Sequence, residues 1–138
     1  MSGLPESANG RRIVAAGAIF ALLAVLLGAF AAHGLKAILD AYQLGIFETA
    51  TRYQMYHALG LLAIGAVAQK PGPSSLWLKI ASAAFITGIA LFSGSLYGIA
   101  LGAGKWLGVV TPLGGLAFIL GWLALAIAVL KIDSPSRS

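Results

Sequence analysis

Residues 13–32, with the sequence IVAAGAIFALLAVLLGAFAA, form an apolar run of 20 residues without a charge. At a rise of 1.5 Å per residue, a helix of this length crosses the roughly 30 Å hydrocarbon core of a bilayer. A cleavable signal peptide is the weaker interpretation, because the apolar part of such peptides is shorter. The run therefore predicts a first transmembrane helix.

A second helix is predicted over residues 46–69. Its apolar part, residues 58–68, is too short to cross a bilayer alone, so we place the first turns of this helix in or near the headgroups. The sequence KPGPS at residues 70–74 contains strong helix breakers. We therefore expect the second helix to end just before it.

Two further apolar runs, residues 77–101 and 107–130, predict a third and a fourth span. Thr111 followed by Pro112 is a typical helix start, so the last helix is expected to begin there after an irregular segment. The sequence thus predicts an all-α, polytopic membrane protein with four transmembrane helices in a bundle.

The composition agrees with a membrane protein. Only 9% of the residues are charged, whereas soluble domains carry about 25%. Such a chain has too few charges to coat a water-facing surface. We expect one transmembrane domain, residues 13–130, between a disordered tail at residues 1–12 and a polar C-terminal tail at residues 131–138.

The basic residues predict membrane topology and not nucleic-acid binding. The net charge is +5, but the Lys and Arg residues are scattered at the ends of apolar runs, and only Arg11 and Arg12 are adjacent. Such residues are enriched on the cytoplasmic side. One side holds six of them and the other three (Lys36, Arg52 and Lys105), which places both termini in the cytoplasm. Cysteine is absent, which excludes disulfides and thiol nucleophiles.

A short amphipathic helix is predicted between the first two spans. Leu35, Ile38, Leu39 and Tyr42 follow the spacing of one helical face, and polar residues occupy the other. We expect this helix to lie in the membrane interface and to end near Gly45.

The third span carries small residues at every fourth position: Ala90, Gly94, Gly98 and Gly102. Stripes of this kind allow a second helix to approach closely within a bilayer. We expect the stripe to pack inside the bundle, with self-association of two chains as the alternative.

Polar residues are concentrated at the start of the second helix. Glu48 and Arg52 are four residues apart and are predicted to form an ion pair, and Tyr53 and His57 share the same spacing. One interpretation is an anchor in the interface. The other is a small site for a lipid headgroup, a quinone or another ligand.

Other chemistry has weaker support in the sequence. His33 and His57 lie toward the same side of the membrane and suggest haem or metal binding, but no third ligand accompanies them. Ser93 with a histidine suggests intramembrane hydrolysis, but hydroxyl groups in spanning helices usually bond to backbone. We therefore predict neither an enzyme nor a cofactor nor a metal site.

Four motifs in order resemble the YgdD family of small four-span bacterial inner-membrane proteins, which is related to YwdK and has no known function. They are GAFAAHGL at residues 28–35, TATRYQMYHAL at 49–59, FSGSLY at 92–97 and TPLGG at 111–115. The resemblance implies four spans and a bacterial plasma membrane, but no activity. The candidate site residues lie within these motifs: His33, Arg52, Gln54, His57 and Ser93.

Three functions follow as hypotheses. The first is a non-enzymatic structural protein or an accessory subunit of a larger membrane complex, acting through helix contacts. The second is a ligand site at the outer end of the first two helices, where Arg52 offers a planar donor fork to a phosphate or carboxylate. The third is a transporter or channel, which requires several copies around a polar path. Membrane lipids and a second copy of the chain are the expected partners.

Overall fold

The computed structural model describes residues 4–131 as a bundle of α-helices with short 3-10 and π segments. The helices are α1 (Leu4–His33), α2 (Ala41–Val67), α3 (Ser75–Gly88), α4 (Gly94–Ala100) and α5 (Val110–Leu130). Single 3-10 segments precede α2 and α5, at Leu35–Ala37 and Lys105–Val109. A π-helical segment, Ile89–Ser93, joins α3 to α4 without a break. The all-α prediction is confirmed for the described residues.

Three helical segments are long and apolar enough to cross a membrane: Asn9–Ala37, Ser75–Ala100 and Lys105–Leu130. They correspond to the first, third and fourth predicted spans. The α2 helix is as long as these segments, with 27 residues. It falls outside this group because its first half carries the polar residues of the TATRYQMYH motif.

The first helix begins earlier than predicted. Residues 4–12 are helical, so the expected disorder of this part is wrong, and residues 1–3 lie outside the described chain. The reason is packing against the end of α2. Gly10 is buried, and a Cβ atom there would lie 3.2 Å from the carbonyl oxygen of Gly65. The predicted C-terminal tail lies outside the described residues except for Lys131.

The short amphipathic helix between α1 and α2 is not confirmed. Only Leu35–Ala37 forms a 3-10 turn. Leu35 is buried, and Ile38, which follows the turn, is exposed. The chain then starts a new helix at once, because Asp40 and Gln43 form a capping box. The Asp40 side chain accepts from the Gln43 amide at 2.8 Å, and the Gln43 side chain accepts from the Asp40 amide at 3.1 Å. The α2 helix therefore begins at Ala41, and Gly45 lies within it.

The other predicted boundaries agree closely with the structure. The α2 helix ends at Val67, two residues before the predicted end, and the KPGPS segment is non-helical up to Ser74. Gly72 adopts a positive φ of 116° in this turn, a conformation that suits glycine. The last helix begins at Val110, one residue before Thr111.

The helices pack as an antiparallel series with α2 at the centre. Contacts between α1 and α2 run from Gly10 against Gly65 to a cluster of Ala31 and Leu35 with Phe47. Across α3, α4 and α5, the contacts run from the Ser74 amide bonded to the Ala128 carbonyl to the Ser95 and Thr111 hydroxyls, which are bonded at 2.6 Å. The outside of the bundle remains apolar, with exposed side chains such as Val25, Leu116, Ile119 and Leu130.

The small-residue stripe of the third span does not pack inside the bundle, and that expectation is wrong. Ala90 is exposed, and a Cβ atom at Gly94 would have no neighbour within 4 Å. Gly98 contacts only the following segment, and Gly102 sits in the turn with a φ of 85°. The π segment contributes to this outcome, because its wider turn rotates the later residues away from the α-helical register. The close helix approaches use other glycines: Gly17, Gly60, Gly65, Gly88, Gly114 and Gly121.

Candidate functional site

His57 lies in the middle of an aromatic cluster between α2, α3 and α5. Its ring stacks on that of Phe118, with centroids 3.4 Å apart and planes inclined by 7°. Phe85 meets the imidazole edge-on at 5.2 Å, and the Trp122 ring lies 5.8 Å away. His57, four residues after Tyr53 on α2, therefore contacts two aromatic residues that are four residues apart on α5, Phe118 and Trp122.

Hydrogen bonds determine the tautomer of His57. The indole N–H of Trp122 donates to His57 Nε2 at 3.1 Å, so this nitrogen is the acceptor. The proton therefore sits on Nδ1, which donates to the Tyr53 carbonyl oxygen at 2.6 Å. Both ring nitrogens form hydrogen bonds. Protonation of Nε2 would direct its N–H at the indole N–H of Trp122. The ring is a neutral structural element in this arrangement.

A groove of about 780 Å³ opens beside this cluster, between α2 and α5. Its size is in the range of small-molecule sites. Its walls are mainly apolar and aromatic, and the polar groups at its surface belong chiefly to tyrosine and histidine. The lining residues are Tyr53, Tyr56, His57, Pro112, Gly115, Leu116, Phe118, Ile119 and Trp122.

Glycines position the aromatic cluster that lies beside the groove. A Cβ atom at Gly88 would collide with the Phe118 ring, and one at Gly121 would lie 2.5 Å from the ring of Phe85. These glycines let α3 and α5 approach so closely that the two phenylalanines are pressed toward α2. Gly115 differs, because a Cβ atom there would lie 3.8 Å from Phe92, at ordinary contact distance.

A second polar group ties the interior together at the same level of α2. Gln54 is buried, and its amide nitrogen donates to the Phe20 carbonyl on α1 at 2.9 Å. Its amide oxygen accepts from the Tyr97 hydroxyl on α4 at 2.8 Å. These two bonds join three helices through one side chain.

Ser93 closes the π segment and is fully buried. Its hydroxyl donates to the Ala50 carbonyl on α2 at 2.8 Å. Ser93 therefore serves helix packing here, and the hydroxyl is not directed at a histidine. Segments of π-helix occur often at functional sites, and this one ends beside Phe92, which contacts Tyr53 of the groove at 4.7 Å between ring centroids.

The structure does not bring the five predicted site residues together. His33 is exposed in the last turn of α1, and Arg52 is exposed on α2. Gln54 bonds to Phe20, thirteen residues and about 20 Å along α1 from His33. Only Gln54, His57 and Ser93 are buried, each with its own partner. These residues therefore do not converge at the outer end of the first two helices, and His57 instead lines the α2–α5 groove.

Another sequence prediction, the ion pair between Glu48 and Arg52, has no support in the side-chain geometry. Glu48 and Arg52 are both exposed, and the described part of the chain contains no ion pair between them. Within residues 4–131 no three His, Cys, Asp or Glu side chains converge as a metal site would require.

Sequence reasoning missed Phe118, Trp122 and Tyr97. The only available signal was the spacing of Phe118 and Trp122, which matches that of Tyr53 and His57. Such a match does not reveal which two helices will face each other.

Comparison with known proteins places the chain among uncharacterised membrane proteins. A family described as "Protein of unknown function (DUF423)" matches residues 27–115. A UPF0382 membrane protein of Staphylococcus epidermidis is 50% identical over 115 residues, which cover 83% of this chain and 92% of the relative. The UPF0382 membrane protein YwdK of Bacillus subtilis is 46% identical and covers 83% of this chain and 93% of its own length.

A more distant relative, a UPF0382 membrane protein of Haemophilus influenzae, is 38% identical over 85% of this chain and 92% of its own. No solved structure matches the chain. These relatives are named membrane proteins, and three helical segments here are long and apolar enough to cross a bilayer. A multi-pass integral membrane protein, predicted from the apolar runs, is thereby confirmed.

Proposed function

Because this chain belongs to the DUF423 family of proteins of unknown function, we propose an activity from its own geometry. The protein is a non-enzymatic membrane protein with four spans that binds a lipid-soluble ligand in the α2–α5 groove. The observation that carries this proposal is the aromatic groove of about 780 Å³ beside His57.

The fourth span of this proposal is α2. With 27 residues it is about 40 Å long, enough to cross the hydrocarbon core. It runs antiparallel to α1 from Phe47 near one end to Gly65 near the other. Its polar side chains Gln54 and His57 are buried and hydrogen-bonded, which lowers the cost of placing them in a bilayer.

The proposed topology places both termini in the cytoplasm and the protein in a bacterial inner membrane. Arg11, Arg12 and Lys70 lie at the end of the bundle shared by the start of α1 and the end of α2, whereas Lys36 and Lys105 lie at the other. Since the chain has no cysteine, Lys70→Cys and Lys105→Cys variants can be labelled on intact cells with a membrane-impermeant maleimide. We expect labelling at position 105 only, and the reverse result would invert the topology.

The groove favours a ligand that arrives from the lipid phase. Leu116 and Ile119 form exposed apolar rims on α5, so entry is lateral and the occupant is apolar over most of its surface. Flat aromatic walls favour a ring or a conjugated chain. The hydroxyl groups of Tyr53 and Tyr56 supply hydrogen-bond donors for a carbonyl or hydroxyl oxygen. A quinone or a similar isoprenoid carrier has this combination.

The same contacts argue against hydrolysis or proton transfer at this site. Both nitrogens of His57 are occupied by Trp122 and Tyr53, and Ser93 donates to the α2 backbone. A nucleophile needs a base within hydrogen-bond reach, and neither group is free to serve the other. Binding, transfer or storage of a lipid-soluble molecule fits better than catalysis.

Trp122 offers a direct test of binding, because it lines the groove and quinones quench indole fluorescence. In a Trp77→Phe, Trp106→Phe background the protein in nanodiscs is titrated with decylubiquinone. We expect saturable quenching, with Kd raised at least about tenfold by Gly115→Leu, which fills the groove. Gly94→Leu is the matched control, since Gly94 has open space around it and lies outside the groove.

The opposite outcome is also clear. If quenching rises linearly with quinone and is the same in the Gly115→Leu variant, no quinone occupies the groove. A second titration with phosphatidylglycerol brominated in its acyl chains then shows whether a lipid chain takes its place. A variant with Trp106 as the single indole reports non-specific quenching, because Trp106 lies outside the groove.

A further inference from the structure

One face of α2 is not covered by any other part of the described bundle. Exposed residues recur along it at intervals of three and four, the spacing of a single helical face. We name this face the α2 stripe and define it by Glu48, Arg52, Leu59 and Ala63. Tyr56 lies at the edge of this face and lines the groove.

The two charged residues of the α2 stripe lie deep in the apolar belt. Gln54 bonds to the carbonyl of Phe20, the eighth residue of the uncharged run 13–32. At 1.5 Å per residue, Arg52 is about 3 Å and Glu48 about 9 Å from this level along α2. Both positions therefore lie inside the hydrocarbon core, which is roughly 30 Å thick.

Charges at this depth require a partner. Ionised side chains in membrane spans almost always face a bundle interior or pair with an opposite charge, whereas snorkelling to the headgroups serves residues near helix ends. Arg52 lies about 14 Å from the nearer boundary on the same reckoning. We therefore expect another molecule to cover the surface on which Arg52 is exposed.

We infer that a second copy of this chain covers the α2 stripe, so that the protein is a two-fold symmetric dimer. The stripe carries one acid and one base a single turn apart and is self-complementary. Two copies inserted in the same direction place their α2 helices parallel, with identical residues at the same depth. Each Arg52 then has to reach only one helical turn, about 6 Å, along the membrane normal to Glu48 of the partner subunit. Closed two-fold interfaces use the same patch on both copies. This inference rests on the proposed crossing of the membrane by α2, but not on the groove or its ligand.

The second half of the α2 stripe, Leu59 and Ala63, also suits contact with a second copy of the chain. Leu59 and Ala63 continue the stripe away from the charges, and neither has a polar side chain that needs solvent. A small residue such as Ala63 lets two helix backbones approach closely in a bilayer. The charges then determine which partner binds, and the apolar half supplies packing.

The test uses the absence of cysteine from the chain. Leu59→Cys and Ala63→Cys variants are oxidised in native membranes, with Val25→Cys, an exposed position on α1, as the matched control. We expect disulfide dimers from at least one α2 variant and none from Val25→Cys. The absence of dimers at both α2 positions, or equal yields at Val25, would overturn the inference.

Mixing two charge variants distinguishes a second copy from other partners of the charges. One differently tagged chain carries Arg52→Glu and the other Glu48→Arg, both with Ala63→Cys. Each homodimer juxtaposes like charges, whereas the mixed dimer pairs opposite charges at both levels. We expect the ratio of mixed dimers to like dimers to exceed that of random mixing at least about tenfold. Random mixing would show that the charges pair within one chain or with lipid phosphate, and would overturn the inference.

A third chain keeps the test independent of folding defects. The double variant Glu48→Arg, Arg52→Glu retains both charges one turn apart, and its self-crosslinking through Ala63→Cys should equal that of the unswapped chain. If the single charge variants do not accumulate, the cysteine comparison between positions 63 and 25 decides the matter alone.

Discussion

The two sides of α2 are built in opposite ways. Toward α1, small residues seal the interface: a Cβ atom at Gly17 would lie 2.8 Å from the Ala58 carbonyl, and Gly65 meets the backbone of Gly10. Toward α5, aromatic rings hold the helices apart at the groove while Trp122 and His57 bridge them. One helix thus combines a closed face, which supplies stability, with an open face that leaves room for a ligand.

The closed face should be the more sensitive to added volume. Gly17→Leu places side-chain atoms against the α2 backbone at Ala58 and Leu62, which cannot move aside as a flexible side chain would. We expect a loss of at least about 3 kcal/mol in the free energy of unfolding, at the upper end of overpacking effects. Gly28→Leu is the control on the same helix, because no atom lies within 4 Å of its Cβ position.

Unfolding by SDS in mixed micelles, followed by circular dichroism, measures this difference. If the Gly17 and Gly28 variants unfold at the same SDS fraction, the α1–α2 interface is not close-packed and the contrast between the two faces fails.

The stability of the open face should depend on the hydrogen bond between Trp122 and His57. His57→Leu leaves the Trp122 N–H without an acceptor and removes the stacked ring from Phe118. We expect a loss of about 2 kcal/mol, since a donor left unpaired away from water costs about 1–3 kcal/mol. The same SDS titration measures it.

Trp122→Phe sharpens this prediction by a double-mutant cycle. If the two residues act through their hydrogen bond, the loss in the double variant is smaller than the sum of the single losses. Strict additivity would show that the bridge contributes nothing to holding α2 and α5 together.

The sequence predicted the helices but not the contrast between the two faces of α2. The apolar runs and the KPGPS break predicted α1, α3–α4 and α5, because length and hydropathy are local properties. The end of α2 followed from the same signals. Its start did not, because the Asp40 and Gln43 capping box overrode an amphipathic pattern that extended across it.

The site was harder to predict for a physical reason. Glycine and alanine are scattered through every span, and only the assembled bundle shows that Gly17 and Gly65 pack while Gly94 faces outward. The π segment shifts the register within the third span, and its sequence, IALFS, carries no distinctive signal. His57 and Ser93 were identified as candidates, but their partners on other helices were not.

The smallest expected effect on stability comes from the hydrogen bond between Ser93 and α2. Ser93→Ala removes the bond from the π segment to the Ala50 carbonyl, with no change in the groove lining. We expect a loss of about 0.6 kcal/mol, the average for hydrogen bonds between membrane helices, and unchanged quinone quenching of Trp122. A large change in quenching would mean that the π segment shapes the groove directly.

Native mass spectrometry of the protein, released gently from its own membrane, tests the central claim most directly. The claim is that the open face of α2 holds a lipid-soluble molecule. It predicts a retained non-protein mass that disappears in the Gly115→Leu variant and persists in Gly94→Leu. Identical retained masses in the unaltered chain and in both variants would contradict it.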